Sequence, residues 1–125
     1  MALYSVDSQS YVDAIPHREN FELWRSRLTT EQFDAICNEL RSMIDGSEIH
    51  TAGWMPGNDW TGTPWEPIYT DACRYSQEAS GYCFGLFVWF ILQEHPDTWG
   101  FGRYEKDGVP IRSMTYFRLD NPPPR

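Results

Sequence analysis

Two carboxylates flank a tryptophan-rich segment in the middle of the chain, and their spacing is the first pattern that could support chemistry. Asp59 and Glu66 are seven residues apart and enclose Trp60 and Trp65. A pair of carboxylates can act as acid and base in glycoside hydrolysis if the chain folds back and brings them together. His50, which precedes the segment, could serve as a general base. One hypothesis is therefore a small hydrolase that uses His50, Asp59 and Glu66.

The same residues also have a structural interpretation that requires no reaction. Asp59 is suited to an Asx-turn, and the hydroxyls of Thr61 and Thr63 can satisfy loop amides. Glu66 can cap a helix that begins at Pro67. Because two isolated acids are a weak signal for catalysis, we favour this interpretation. The chain contains no nucleophile-elbow, phosphate-loop or dinucleotide-binding motif.

The tryptophan-rich segment is also the strongest lead for a binding function. Trp54, Trp60 and Trp65 lie within twelve residues on a backbone rich in glycine and proline. Large amphipathic rings are unusual in loops, and packed loops of this kind often carry function. Tryptophan is also enriched among the residues that dominate protein interfaces. We predict that the segment takes part in binding and that at least one ring covers the core.

Charge is distributed unevenly around this segment. Residues 54–97 contain six acids and one base, whereas residues 99–125 contain three acids and five bases. The simplest expectation is that the two regions neutralise each other through individually weak ion pairs. The alternative is a pocket in which Arg103 or Arg112 binds a small anion such as a nucleotide, while Tyr69 or a tryptophan ring stacks on the base.

The net charge of −8 bears on the kind of partner. It disfavours direct binding to nucleic acid or an anionic membrane and favours a protein with a basic surface, although solubility alone also explains it. Small acidic proteins include phage-type inhibitors from mobile elements that block basic nucleic-acid-binding surfaces, and this analogy leads to our first hypothesis, a non-enzymatic binding protein. The partner could also be a second copy of the chain. The predicted binding residues are Trp54, Asp59, Trp60, Trp65, Glu66, Tyr69, Arg103 and Arg112.

The histidines and cysteines form no metal-binding or nucleophilic motif, so we expect neither a metal nor a cofactor. His95, which precedes Pro96, is predicted to be a cation at the C-terminus of a helix. The chain has an odd number of cysteines without metal-type spacing: Cys37, Cys73 and Cys83. This pattern predicts reduced, mostly buried thiols in a cytoplasmic protein. No signal peptide is visible, and the longest apolar run is too short to cross a bilayer.

Apolar periodicity predicts three helices before residue 76. The first covers residues 18–27. The second follows Thr29, which can form a capping box with Gln32, and it ends at Gly46 as a C-terminal glycine. A third, short helix is predicted over residues 67–75.

Residues 76–94 are ambiguous. Ser76 is a suitable helix cap, and the length of the apolar stretch favours a buried helix. Because residues 84–92 are rich in β-forming types, a buried strand remains the alternative. In a helix, Gly81 and Gly85 would share one face and could allow a neighbouring element to approach closely.

The C-terminal region, residues 99–119, is predicted to form a β-hairpin with Asp107-Gly108 in its turn. A two-residue loop would place Arg103 opposite Arg112, which is an unfavourable like-charge pair. We therefore prefer a three-residue loop over residues 106–108. That register places one set of apolar residues on a common core face: Trp99, Phe101, Val109, Ile111 and Phe117.

Together these elements predict a single α+β domain over residues 1–119, in which helices pack on one face of a small antiparallel sheet with a C-terminal β-hairpin. Further strands are predicted at residues 1–6 and 48–54. Residues 120–125 contain three consecutive prolines and are predicted to be an extended tail.

Overall fold

A computed structural model describes residues 2–12, 14–46, 49–51, 60–102, 105–106, 109–110 and 115–124. The helical elements are α1 (Arg18–Ser26), α2 (Thr30–Asp45), a π-helical turn (Ile68–Ala72) and α3 (Gln77–Glu94). The strands are β1 (Ala2–Ser5), β2 (Ser10–Tyr11), β3 (Ile49–Thr51), β4 (Thr98–Gly102), β5 (Glu105–Lys106), β6 (Val109–Pro110) and β7 (Thr115–Arg118).

Five strands form the main sheet in the order β2-β1-β4-β7-β3. The α+β architecture and the C-terminal hairpin, formed by β4 and β7, are confirmed. The sheet departs from the predicted antiparallel pairing at one place, where β1 and β4 run parallel. Parallel neighbours need a crossover, and the helical part of the chain supplies it here. At the β2 edge, the hydroxyl of Tyr11 donates to the carbonyl of Pro123, so the tail lies along this edge.

The hairpin has a different register from the predicted one. Lys106 pairs with Val109, which leaves two residues between them, so the predicted three-residue loop is wrong. Two-residue loops containing Asp-Gly are the favoured hairpin connection, and this local preference outweighs the like-charge argument. Within the main sheet, Gly102 at the end of β4 pairs with Thr115 at the start of β7. Ile111, predicted to face the core, lies outside the described residues, as does the side chain of Val109.

The prediction of which hairpin residues face the core is confirmed for two residues and wrong for a third. Trp99 and Phe101 are buried, as predicted, and Tyr116 is buried opposite Phe101. Phe117 instead pairs with Gly100 on the other face of the sheet. A Cβ atom at Gly100 would lie 2.8 Å from the ring of Phe117, so a larger residue here would require that ring to shift. The predicted loop would pair Trp99 with Thr115, whereas Trp99 pairs with Arg118, and this odd shift of three residues moves Phe117 to the other face.

Helix α2 begins as the sequence predicts. The backbone N–H of Gln32 donates to the Thr29 hydroxyl at 3.1 Å, and the Thr29 N–H donates to the Gln32 side-chain oxygen at 2.9 Å. This capping box satisfies two donors that the first turn would otherwise leave unpaired. Gly46 follows the helix, but its φ of −77° is right-handed, so the helix end does not depend on the special freedom of glycine.

Residues 77–94 form the helix rather than the strand. Ser76 caps α3 by accepting a hydrogen bond from Ala79 N–H at 3.1 Å. The predicted close approach at Gly81 and Gly85 is not seen, because a Cβ atom at either position would meet no described atom within 4 Å. In the part of the chain that the structure describes, no helix has the length and apolar character needed to cross a membrane.

Helix α3 is the common packing partner of the other helices and of the sheet. The ring centroid of Phe87 lies 5.2 Å from that of Phe21 in α1 and 5.5 Å from that of Phe33 in α2. On the sheet side, the rings of Trp89 and Phe101 are 4.7 Å apart. Helix α3 buries these large rings against the other helices on one side and against the sheet on the other. This burial on two sides explains why an apolar segment rich in β-formers adopts a helix.

Candidate binding surface

The described tryptophans of the central segment pack on the first half of α3. Trp65 is only 4% exposed, and its ring meets the ring of Phe84 edge-on at a centroid distance of 5.0 Å. Trp60 is half-buried and lies 6.0 Å from the same phenylalanine ring. The prediction that at least one tryptophan covers the core is confirmed by Trp65. Trp60 is the one of these two rings that retains accessible surface.

Hydrogen bonds within the segment hold Trp60 and Trp65 in place. The Thr63 hydroxyl donates to the Trp60 carbonyl at 2.7 Å and accepts from the Trp65 N–H at 3.2 Å. The Glu66 carboxylate accepts from the Gly62 N–H at 2.6 Å, where Gly62 has a left-handed φ of 75°. Glu66 therefore closes the loop, and the predicted role as a cap of the following helix is wrong because the carboxylate is directed back toward Gly62.

Other predicted site residues cannot be placed together with this loop. Of the hypothetical hydrolase residues, Glu66 alone has a described side chain, and His50 is described only as backbone in β3. Within the described ranges, no three His, Cys, Asp or Glu side chains form a group that could hold a metal ion. The predicted residues outside the described part of the chain are Trp54, Asp59, Arg103 and Arg112.

A strained turn connects the π-helical turn to α3. Arg74 and Tyr75 are consecutive and both left-handed, with φ values of 50° and 67°. A left-handed backbone costs a residue with a Cβ atom about 1–2 kcal/mol. The Tyr75 N–H donates to the Tyr69 carbonyl at 2.7 Å, which helps to hold the turn. Strained residues and π-helical turns both occur preferentially at functional sites, so this turn is a candidate for one.

The strained turn presents an aromatic pair at the surface. Tyr75 is 68% exposed, and its ring meets that of half-buried Tyr69 edge-on at 5.4 Å. Asp71 and Glu78 are exposed on either side of the turn, and Asp71 accepts a hydrogen bond from Gln32 at 2.9 Å. No sequence pattern predicts this role for Tyr75, since tyrosine is not a residue that marks left-handed turns. We define the Tyr75 surface as Trp60, Glu66, Tyr69, Asp71, Tyr75 and Glu78.

Arg74→Gly is expected to stabilise the protein by about 0.5–1 kcal/mol. Glycine removes the left-handed penalty of about 1–2 kcal/mol, and the greater entropy of the unfolded chain offsets part of that gain. Arg74 is exposed and makes no hydrogen bond or ion pair with the described residues, so little else is lost. Urea denaturation of the two proteins measures the difference. Arg74→Ala is the matched control, and equal stabilisation by alanine would contradict the strain explanation.

A second feature, a polar cleft of about 400 Å³, was not predicted from the sequence. It lies where α2 and α3 end and contains His95, which is 8% exposed. Nε2 of His95 is 2.8 Å from the Asp45 carboxylate, and Nδ1 accepts from the Asp97 N–H at 3.0 Å. His95 stands at the C-cap of α3, the position that the sequence predicts for it. Since both ring nitrogens are engaged, His95 has a structural role.

The same cleft joins the basic hairpin to the acidic middle of the chain. Arg118 places Nε 3.5 Å from the Asp97 carboxylate, and its guanidinium carbon lies 5.3 Å from the Trp99 ring centroid. This pair is an instance of the neutralisation between the two regions that the charge distribution predicts. The cleft therefore connects elements of the fold, and the ion pair of Arg118 with Asp97 lies within it.

The three cysteines are free and buried, as predicted. Burial raises the pKa of the Cys37 thiol to about 11. A hydrogen bond between Cys73 and Cys83 lowers the pKa of Cys73 and, together with burial, raises that of Cys83. Cys37 and Cys83 are therefore held as thiols that react poorly as nucleophiles.

Comparison with known proteins found no matching family, no similar curated protein and no similar solved structure.

Proposed function

We propose that this protein is a small acidic, non-enzymatic binding protein and that its Tyr75 surface contacts a basic surface of a protein partner. One observation carries the proposal: a left-handed turn holds the exposed Tyr75 ring against Tyr69. Glycine or asparagine would adopt this turn with less strain than tyrosine. A solvent-exposed aromatic ring kept in a strained conformation is readily explained if a partner covers it.

The geometry of the ring pair suits a protein contact. Tyrosine offers a large amphipathic surface and loses little conformational entropy on binding because it has only two side-chain torsions. Tyr69 restrains the ring of Tyr75 from below by edge-on packing, which reduces that loss further. We propose that half-buried Trp60, which its loop holds on Phe84, adds apolar area to the same contact.

The charge around the pair supports a basic partner. Glu66, Asp71 and Glu78 belong to the Tyr75 surface, and Arg74 is the single base between residues 60 and 97. Carboxylates around an aromatic centre accelerate encounter with a positively charged surface and reject acidic partners. In its most specific form, the proposal is an inhibitor that covers a nucleic-acid-binding surface. We place this activity in the cytoplasm, where three buried thiols would remain reduced.

The proposal is tested by capturing partners with immobilised wild-type protein and with Tyr75→Ala, followed by quantitative mass spectrometry. We expect one or a few proteins with basic surfaces to bind the wild type and to be reduced at least tenfold on Tyr75→Ala, since loss of a central aromatic contact costs about 2 kcal/mol or more. The binding should weaken as ionic strength rises.

Val6→Ala is the matched control, because Val6 is an exposed apolar residue outside the Tyr75 surface. This variant should capture the same proteins as the wild type. Thermal unfolding must show that Tyr75→Ala remains folded. If the folded variant retains all partners, or if the captured proteins are acidic and insensitive to salt, the proposed function is wrong. Self-association in sedimentation that depends on Tyr75 would identify a second copy of the chain as the partner.

A further inference from the structure

A crevice of about 330 Å³ opens between α1 and α3, away from the His95 cleft. Its walls are formed by His17, Asn20, Trp24, Tyr82 and Leu86. This volume is at the lower end of the range for ligand sites, so it suits one side chain or a short segment rather than a large molecule. The crevice combines apolar walls with two polar groups, which is the usual composition of a specific site.

The walls are two regular rows of side chains on the helices. Asn20 and Trp24 are four residues apart on α1, and Tyr82 and Leu86 are four residues apart on α3, so each pair lies on one helical face. Trp24 is half-buried against the core, whereas Tyr82 is 65% exposed. An apolar side chain placed between the rows would cover the tyrosine ring and contact the tryptophan.

Both helices that form the crevice carry an acidic residue close to it in sequence. Glu78 lies one turn before Tyr82 on the same face of α3, whereas Glu19 precedes Asn20 in the first turn of α1. Both carboxylates are exposed and form no ion pair with any side chain that the structure describes. Arg18, which precedes Glu19 on α1, is already paired with Glu22 at 2.9 Å. Complementary charge therefore favours an occupant that carries cations on both sides of its apolar group.

We propose that the crevice binds one leucine-sized or aromatic side chain from a protein segment in which that residue stands between arginines or lysines. Glu19 and Glu78 pair with the flanking cations, while His17 and Asn20 hydrogen-bond the backbone of the segment at the mouth. The proposal rests on the proposed function, since both require a basic partner, and it names the sequence feature that the partner must contain.

The test uses two short fluorescent peptides that differ at one position. In the first, a leucine stands between two arginines on each side; in the second, alanine replaces the leucine. We expect the leucine peptide to bind about tenfold more tightly in fluorescence anisotropy, because the crevice removes additional apolar surface from water. Heteronuclear NMR should show that the Trp24 indole N–H shifts with the leucine peptide and much less with the alanine peptide.

Two variants assign the difference to the crevice. Tyr82→Ala removes an exposed wall without opening the core, and it should reduce the preference for leucine to less than about twofold. Val6→Ala, an exposed apolar residue outside both surfaces, should leave the preference unchanged.

Three results would overturn the proposal. Equal affinity for the two peptides would leave the acidic binding protein intact but remove the crevice as a side-chain site. A peptide with leucine between serines that binds as tightly as the arginine peptide would eliminate the role of Glu19 and Glu78. If neither arginine peptide binds while the partners captured through Tyr75 do, the crevice proposal fails independently of the proposed function.

Discussion

Trp65→Ala is expected to destabilise the protein by about 3–5 kcal/mol, which is the usual range for truncating a large aromatic residue in a core. Trp65 is 4% exposed, and its ring edge packs on Phe84 at the start of the buried part of α3. Alanine would leave a cavity between the loop and this helix that the close-packed core cannot fill by relaxation. Urea denaturation monitored by circular dichroism measures the change, provided that the variant retains a folded baseline.

Trp60→Ala is the matched comparison within the same loop. Trp60 is half-buried and packs against the same phenylalanine, so its truncation is expected to cost about 1 kcal/mol or somewhat more. The fold should survive, while binding to a captured partner should weaken. A loss of stability from Trp60→Ala as large as that from Trp65→Ala would show that Trp60 is a core residue, and it would remove it from the Tyr75 surface.

These two tryptophans illustrate where sequence reasoning reaches its limit. The sequence identifies the segment and predicts that a ring covers the core, but it cannot distinguish Trp60 from Trp65, because both stand on a non-periodic backbone. The distinction depends on the position of Phe84 in α3, nineteen residues beyond Trp65. Such long-range packing leaves no local pattern, unlike the capping box of Thr29 and Gln32, which is complete within four residues and was predicted correctly.

The candidate site shows the same contrast between features that the sequence predicts and features that it does not. Glu66 was predicted from its spacing in the tryptophan loop and Tyr69 as part of an aromatic cage, whereas the left-handed backbone at Tyr75 was not predicted. A left-handed backbone is expected at glycine or asparagine, so the sequence does not predict it at a tyrosine. In the hairpin, by contrast, the local sequence was the better guide. The Asp-Gly signal for a two-residue loop was correct, and the longer-range charge argument against it was wrong.

His95→Ala is expected to destabilise the protein by about 2–4 kcal/mol, the second large effect. The substitution removes two hydrogen bonds from a buried ring, one from the Asp97 N–H and one with the Asp45 carboxylate, and each contributes about 0.5–1.5 kcal/mol. The ring also packs edge-on against Trp99 at 5.7 Å, so its loss opens space beside the first strand of the hairpin.

Two substitutions separate the hydrogen bonds of His95. Asparagine places a polar atom near the position of Nδ1 and can still accept from Asp97 N–H, whereas glutamine reaches the position of Nε2 and can still donate to Asp45. Because the Asp97 N–H is the donor that would otherwise be left unpaired, His95→Asn should retain more stability than His95→Gln. Chemical denaturation of both variants measures this order.

Asp45→Asn is the control for the charge of this pair. The amide oxygen can still accept from Nε2, and removing a negative charge from the C-terminus of α2 relieves an unfavourable interaction with the helix dipole. The change in unfolding free energy should therefore be within about 0.5 kcal/mol. If Asp45→Asn is instead as damaging as His95→Ala, the carboxylate charge rather than the hydrogen bond holds α2 to the end of α3.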